Sequence, residues 1–189
     1  MEDAFLVFPE LETERFKLEQ LGLDDLNAMF QIKSTPAVTH SYGRDPHTSL
    51  LQTESWIRII IDNYRERKSL VWKIVDKTDG RIAGAVTLWN MDLESLMSEI
   101  GYELHPDYWR KGVMTETLNC LLDWLFGEFG LNRVEACPLQ HNLASVKLLE
   151  KVGFLKEGTL KERVYFQGRF LDQYYYGLLK SEWEKKIAH

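Results

Sequence analysis

Long apolar stretches and targeting features are absent from this 189-residue chain. No run approaches the roughly 18 consecutive apolar residues that mark a membrane-spanning helix. The opening residues, MEDAFLVFPE, also lack the basic start and apolar segment of a leader peptide. We therefore expect a cytoplasmic protein that does not associate with membranes.

Linkers, repeats and low-complexity tracts are absent as well. The five prolines are scattered along the chain, and no stretch rich in Pro, Gly or Ser divides it. A chain of 189 residues with 44% hydrophobic content is long enough to bury its own core. We therefore expect one domain over residues 1–189.

Positive charge is in deficit, since 23 Lys and Arg stand against 29 Asp and Glu and give a net charge of -6. Proteins that bind nucleic acid usually carry a basic patch or block. The balance therefore disfavours nucleic acid as a partner and favours a positively charged one.

Cysteine is scarce, with Cys120 in a helical pattern and Cys137 in a strand pattern. Two such residues predict buried, reduced thiols rather than a disulfide. The histidines at 40, 47, 105 and 141 show no metal-ligand spacing with cysteines or carboxylates, so we predict no metal.

Hydrophobic spacing divides the chain into helical and extended segments. Apolar residues recur at i, i+3, i+4 and i+7 in the former, whereas Val, Ile and aromatic residues dominate the latter. The predicted elements are a strand at 15–19, helices starting at 24–25 and 48–49, strands at 70–76, 81–89 and 97–104, a helix from 113 to 129, a strand at 133–137, a helix at 142–151, and a hairpin of strands at 159–167 and 170–180. This order predicts a mixed α/β layered domain with seven strands.

The stretch 104–116, LHPDYWRKGVMTE, joins a predicted strand to a predicted helix. The first backbone N–H groups of a helix lack partners within it, and the helix dipole adds about half a positive charge there. Gly112 allows a sharp turn that lets an anion approach those N–H groups. Arg110 and Lys111 can neutralise further phosphate oxygens, and Thr115 offers a hydroxyl. The junction predicts a phosphate site, although a strand-turn-helix with one glycine also occurs in folds that bind nothing.

The junction has neither the G-x-x-x-x-G-K-[ST] pattern of a P-loop nor the G-x-G-x-x-G turn of a dinucleotide fold. Its residues 108–116, YWRKGVMTE, instead resemble the [QR]-x-x-G-x-[GA] acyl-CoA signature of GNAT N-acetyltransferases, as it occurs in their RimJ/RimL branch. Further matching segments are LETERFKL at 11–18, DDL at 24–26, SEIGY at 98–102, LNRVE at 131–135, N-x-x-S at 142–145 and LEKVGF at 149–154. The resemblance covers residues 11–180 and implies the GNAT fold, a central mixed seven-stranded sheet flanked by helices.

The resemblance implies that acetyl-CoA is the co-substrate. In this family, backbone N–H groups of the turn hold the pyrophosphate, and the strand before the turn pairs with the pantetheine amides. The matching residues are Arg110, Lys111, Gly112, Val113, Met114 and Thr115 for the pyrophosphate, Tyr102, Glu103 and Leu104 for the pantetheine, and Asn142 for the pantetheine arm. Asn142 is equally suited to cap its own helix. Met114 departs from the small residue usual in the family and threatens to crowd the turn.

Transfer of an acetyl group to an amine needs a base for the amine, a donor for the oxyanion and an acid for the leaving thiolate. By resemblance, a backbone N–H near Leu104 stabilises the oxyanion and Ser145 protonates the thiolate. Glu99 is the first candidate base and Glu135 the second, since a half-buried carboxylate has a raised pKa. Ser145 has an ordinary alternative as a solvated or backbone-bonded hydroxyl, and either glutamate as a solvent-facing strand residue.

The acceptor is expected to be a primary amine, with the N-terminal α-amine of a protein or peptide as the favoured hypothesis. By resemblance its pocket lies opposite the CoA, near the loop 35–47, Trp89 and the hairpin residues Glu162, Tyr165 and Tyr174. Three alternatives stay open: a small-molecule amine such as an antibiotic or polyamine, a catalytically idle acyl-CoA sensor, and a structural domain that binds no CoA. The oligomeric state also stays open, a homodimer included.

Overall fold

The computed structural model describes residues 2–188. Its strands are β1 (Leu11–Glu12), β2 (Phe16–Gln20), β3 (Leu70–Asp76), β4 (Ile82–Asp92), β5 (Met97–Leu104), β6 (Arg133–Ala136), β7 (Leu155–Phe166) and β8 (Arg169–Leu179). They form a single mixed sheet in the order β1-β2-β3-β4-β5-β6-β8-β7. The sheet has eight strands rather than the predicted seven, because the two-residue β1 is too short to show a period-2 pattern.

Six α-helices accompany the sheet within residues 2–188. They are α1 (Leu26–Lys33), α2 (Pro36–Thr39), α3 (Leu50–Arg65), α4 (Val113–Phe126), α5 (Leu143–Val152) and α6 (Lys180–Ile187). None of the helices in this range is long and apolar enough to cross a membrane.

The helices pack on both faces of the sheet because the central strands are apolar on both sides. Along β3, Leu70 and Trp72 join the core cluster that contains α4, α5 and α6 residues. Val71, between them, joins the second cluster with α1 and α3. Successive strand residues point to opposite faces, so this alternation produces a helix–sheet–helix sandwich.

Strands β5 and β6 separate after a short parallel pairing. Residues 97–99 of β5 pair with residues 133–135 of β6. β6 then ends at Ala136, shortly before Pro138, whose nitrogen cannot donate to a strand ladder. Because β5 continues to Leu104, its residues 100–104 have no strand partner on that edge among residues 2–188. A gap therefore opens in the middle of the sheet.

Several predicted ends are wrong. β7 begins at Leu155 rather than at 159, and β4 runs to Asp92 rather than to 89. Two further errors have local reasons. α4 ends at Phe126 with Gly127 as its C-cap, before the predicted end at 129, since Gly127 interrupts the helix. Phe129 continues the apolar periodicity although it lies beyond the helix. Its ring is buried against Trp124, with 4.8 Å between the ring centroids. The predicted last strand was also extended to Lys180, where α6 instead begins.

We predict that Trp183→Ala lowers the free energy of unfolding by about 3–5 kcal/mol, the usual cost of deleting a buried aromatic side chain. Trp183 is 3% exposed, and its Nε1 donates to Asp123 Oδ1 at 2.9 Å, which docks α6 on α4. Urea denaturation measures the loss. The exposed neighbour Lys185 supplies the control, because Lys185→Ala should change stability by less than about 0.5 kcal/mol. Equal effects of the two substitutions would show that α6 is not part of the core.

Candidate active site

The turn between β5 and α4 has unpaired backbone donors. Within residues 2–188, no protein atom accepts a hydrogen bond from the N–H groups of residues 110–115. Arg110 and Gly112 both have positive φ, 59° and 76°, which is uncommon for a residue other than glycine. The side chains of Arg110 and Lys111 are exposed. The predicted arrangement of unpaired N–H groups and cations at a helix start is therefore present.

Arg15 adds a further cation to this turn. Its guanidinium donates to the Lys111 carbonyl oxygen at 3.2 Å and, through Nε, to Glu116 Oε2 at 2.7 Å. Glu116 Oε1 also accepts from Thr13 Oγ1 at 2.6 Å. Burial raises the pKa of Glu116, but the hydrogen bonds from Thr13 and Arg15 outweigh it and hold that pKa below its ordinary value. These contacts fasten the residues before β2 to the first turn of α4.

Met114 does not obstruct the turn. Its side chain is 5% exposed and packs in the main core cluster, and Val113 beside it is buried in the same way. These two residues therefore offer only backbone groups to a ligand at the helix start.

A cleft of about 370 Å³ opens beside the gap between β5 and β6. Its walls come from β4, β5, the residues after β6, the start of α5 and the loop between α2 and α3. Five of the predicted site residues line it, namely Glu99, Tyr102, Glu103, Asn142 and Ser145. Leu104 and the turn 110–115 are not among the lining residues.

Ser145 and Tyr102 share a hydrogen bond across the gap. Their hydroxyl oxygens lie 2.8 Å apart, which joins the first turn of α5 to β5. Burial raises the pKa of Tyr102, against the opposing effect of the Ser145 hydroxyl. Asn142 caps α5, because its Oδ1 accepts from the Ser145 backbone N–H at 3.1 Å, while its Nδ2 donates to the Ser41 carbonyl. The capping alternative for Asn142 is thus present in the structure.

Glu99 is a half-buried carboxylate on the wall of the cleft. Burial raises its pKa above the ordinary value, and a hydrogen bond from Asn90 Nδ2 at 2.9 Å offsets part of this effect. Asn90 lies at an irregularity in the β4–β5 pairing and has a φ of 49°, a conformation that Asn tolerates better than most residues.

Glu135 does not reach the cleft. It is 8% exposed, accepts from Arg133 Nε at 2.6 Å and accepts a short hydrogen bond from the Tyr175 hydroxyl. Arg133 also pairs with Glu157 of β7. The second candidate base is therefore neither a cleft residue nor the solvent-facing residue proposed as its alternative, but a buried partner in a network that joins β6, β7 and β8.

Glu103 shares the cleft-facing side of β5 with Glu99, because residues four apart on a strand point the same way. Its carboxylate pairs with Lys33 Nζ at 2.7 Å and accepts from the Tyr42 hydroxyl at 2.9 Å. The Glu103 side chain is thus bound to Lys33 of α1 and to Tyr42 of the loop between α2 and α3. Only its backbone is left for the predicted pantetheine contact.

The acceptor residues suggested by position are found only in part. Ser41, Tyr42 and Arg44 of the loop 35–47 line the cleft together with Trp89. Glu162, Tyr165 and Tyr174 are not among the lining residues, and β8 of the terminal hairpin contributes Gln173 instead.

The family model described as an acetyltransferase (GNAT) domain matches residues 15–155. The chain belongs to the GNAT family. It is an acetyl-CoA-dependent N-acetyltransferase, and the GNAT fold implied by the motifs is confirmed.

Two proteins with similar sequences and one similar crystal structure show what this GNAT enzyme resembles. The uncharacterized N-acetyltransferase YoaA of Bacillus subtilis is 33% identical over 92% of this chain and 98% of its own length. The putative ribosomal N-acetyltransferase YdaF of Bacillus subtilis is 38% identical over 56% of this chain and 58% of its own length. The crystal structure of spermidine N-acetyltransferase from Vibrio cholerae in complex with CoA and spermine is 20% identical, covers 90% of this chain and 98% of that one, and has a TM-score of 0.80.

Several residues of the GNAT site were missed in the sequence. Arg15 and Glu116 lie within the matching segments 11–18 and 108–116, yet the sequence does not reveal their contact, because it spans 101 positions. Lys33 ends α1 in an ordinary helical pattern and gives no signal of its partner Glu103. Within residues 2–188, no group of three or more His, Cys, Asp or Glu side chains is arranged to hold a metal ion.

We predict that Gly112→Ala removes most of the thermal protection that CoA gives. A side chain at this positive φ costs about 1–2 kcal/mol of strain and shifts the N–H groups that face the anion. Gly130 has a similar φ of 83° and open space for a Cβ, so Gly130→Ala should lower stability comparably and leave the CoA-induced shift in Tm intact. Equal CoA-induced shifts in the two variants would place the CoA site elsewhere.

We also predict that ionisation of the Glu99 carboxylate lowers the free energy of unfolding, so that this effect depends on pH. Since its pKa is raised in the folded state, the folded protein holds a proton that the unfolded chain has lost, and stability falls as the pH rises between the two pKa values. The free energy of unfolding of the natural protein, relative to that of Glu99→Gln, should therefore decline from about pH 4 upward and then level off. Denaturation at a series of pH values checks this. A relative stability that instead grows with pH would contradict it.

Proposed function

We propose that this enzyme transfers the acetyl group of acetyl-CoA to the α-amine at the N-terminus of a protein or peptide. One observation carries the proposal: Glu99 and the hydrogen-bonded pair of Tyr102 and Ser145 line the same cleft where β5 and β6 part. A carboxylate suited to take a proton and a hydroxyl suited to give one therefore share one space.

The turn 110–115 has the chemistry that a pyrophosphate requires. Its unpaired N–H groups match phosphate oxygens. Arg110 and Lys111 supply positive charge, whereas the charge of Arg15 is compensated by Glu116. The unpaired edge of β5 over residues 100–104 suits an extended arm with amide groups, since an open strand edge pairs with such a chain. When bound, acetyl-CoA supplies an acetyl thioester.

The proton movements are assigned to residues of the cleft. Glu99 takes a proton from the ammonium form of the acceptor at its carboxylate, which is favoured by its raised pKa. Ser145 Oγ gives a proton to a departing thiolate and regains one from the nitrogen that loses it on acetylation, while Tyr102 Oη, at 2.8 Å, orients the serine hydroxyl. Glu135 has no part in these steps, because Arg133 and Tyr175 occupy its carboxylate.

The strength of the base favours an α-amine as acceptor. At pH 7 roughly a tenth of an α-amine is neutral, whereas a lysine amine is neutral only about four times in ten thousand. A single half-buried carboxylate such as Glu99 is a sufficient base for the first and a poor one for the second. The similarity to the putative ribosomal N-acetyltransferase YdaF supports a protein amine, while the spermidine N-acetyltransferase shares the fold at lower identity.

Incubation with acetyl-CoA and peptides that differ only in a free or blocked N-terminus, with thiol release as the readout, tests the proposal. Release is expected only with free N-termini, and internal lysines should contribute little. Protection by CoA against thermal unfolding without acetylation of any amine would favour the idle sensor, and acetylation of spermidine or blocked lysine peptides would favour the small-amine or lysine acceptor.

We predict that Ser145→Ala lowers kcat on the best peptide by about 100-fold or more, the usual share of a general acid. Glu99→Gln should cost about 10-fold or less, because part of the α-amine is already neutral. Ser181, exposed on α6, provides the control, and Ser181→Ala should leave kcat unchanged. Unaltered kcat in Ser145→Ala, with normal CoA protection, would remove Ser145 from the mechanism.

A further inference from the structure

The charged residues of the cleft do not act independently. Four line it, namely Lys33, Arg44, Glu99 and Glu103. The side chains of Lys33 and Glu103 are 12% and 8% exposed and their charged atoms lie 2.7 Å apart. The two opposite charges compensate each other, and because both side chains are nearly buried, the pair presents little net charge to a ligand. Glu99 and Arg44 are then the charges that an acceptor meets.

Glu103 is fully occupied by its partners. One carboxylate oxygen pairs with Lys33, and the other accepts from Tyr42. Lys33 Nζ also lies over the Trp56 ring, 4.1 Å from its centroid, so the ammonium is held by two different contacts. Burial and the negative charge of Glu103 raise the pKa of Tyr42, which keeps its hydroxyl protonated as a donor. Glu103 therefore has little capacity to bind a second cation.

Arg44 stands at the rim of the cleft without a charged partner. Its side chain is exposed and lines the cleft, and no residue within 2–188 forms a side-chain hydrogen bond or ion pair with its guanidinium. The preceding Gly43 has a φ of 74°, and a Cβ there would meet Leu139 and Val164 at 3.1 and 3.2 Å. The loop is thus packed against the walls, which holds Arg44 in place.

The negative and positive ends of the cleft are separated along β5. Glu99 and Glu103 are four residues apart on one strand face, which corresponds to about 13 Å. Arg44 follows Tyr42 by two residues and lines the cleft with it, and the Tyr42 hydroxyl donates to Glu103 at 2.9 Å, so Arg44 belongs to the Glu103 end. An amine held at Glu99 therefore has a positively charged region within reach of a short chain.

We infer that this cleft selects an amine that also carries a carboxylate within a few residues' length, and rejects polyamines. The inference rests on the proposed function and narrows its substrate class to amphoteric amines. The carboxylate comes either from an acidic side chain near a peptide N-terminus or from a free amino acid. A polycation would meet Arg44 as a like charge, which is a common means of excluding wrong partners.

Three pentapeptides with free N-termini test the inference, identical except for Asp, Asn or Lys at positions two and three. Free glutamate and spermidine complete the panel. Binding to the CoA-loaded protein is measured by calorimetry and thiol release from acetyl-CoA is measured separately. The Asp peptide is expected to bind about two- to fivefold tighter than the Asn peptide, the upper range of one exposed ion pair. The Lys peptide and spermidine are expected to bind more weakly than either.

Arg44→Glu should reverse the order of the Asp and Lys peptides. The matched control is Arg65→Glu, because Arg65 lies exposed at the end of α3 and Asp62 is its one ion-pair partner among residues 2–188. The control carries the same change of charge and should keep the order. Tighter binding of free glutamate than of the Asp peptide would assign the carboxylate to a free amino acid.

The two proposals fail in different ways. Tighter binding of the Lys peptide or spermidine, an order unchanged by Arg44→Glu, or no measurable binding of any amine would overturn the inference. Charge-selective binding that depends on Arg44 but is followed by no thiol release would support the inference and refute the proposed transferase function for these acceptors.

Discussion

The pairing of β5 with β6 stops after Glu99 and Glu135, and the rest of the site depends on this interruption. Buried backbone groups are nearly always paired, so an interior strand whose edge is unpaired over residues 100–104 requires another partner. The gap also admits the start of α5, from which Ser145 reaches Tyr102. A continuous β5–β6 ladder would have covered the edge of β5 and left no room for the start of α5.

The turn after β5 is the second constraint. Positive φ at Arg110 and Gly112 leaves the first N–H groups of α4 without protein acceptors, while Glu116 and Arg15 tie that helix start to the beginning of the sheet. Because the Met114 side chain is buried, the turn offers backbone rather than side chains. If the pyrophosphate is bound through backbone groups, as proposed, a buried methionine at position 114 is compatible with the family signature.

Some of the residues that line the cleft belong to the family motifs, and others lie outside them. Glu99 and Ser145 correspond to motif positions and supply proton transfer in the proposal. Lys33, paired with Glu103, and Arg44, which has no ion-pair partner among residues 2–188, instead concern the choice of acceptor in the inferred selection of amphoteric amines. The same fold accommodates a spermidine acetyltransferase, so the fold alone does not decide the acceptor.

Local signals in the sequence were sufficient for the layered α/β architecture, the turn at Gly112, the N-cap at Asn142 and the motif that marks the family, because periodicity, turn propensity and capping act between near neighbours in the chain. They could not reveal α6, whose amphipathic face is meaningful only against α4, nor the two-residue β1. They also assigned Glu135 a wrong environment, since its partners Arg133 and Tyr175 meet it only once β6 and β8 pair. The charge of the cleft was decided by tertiary structure alone, because burial and ion pairing depend on which side chains distant segments bring together.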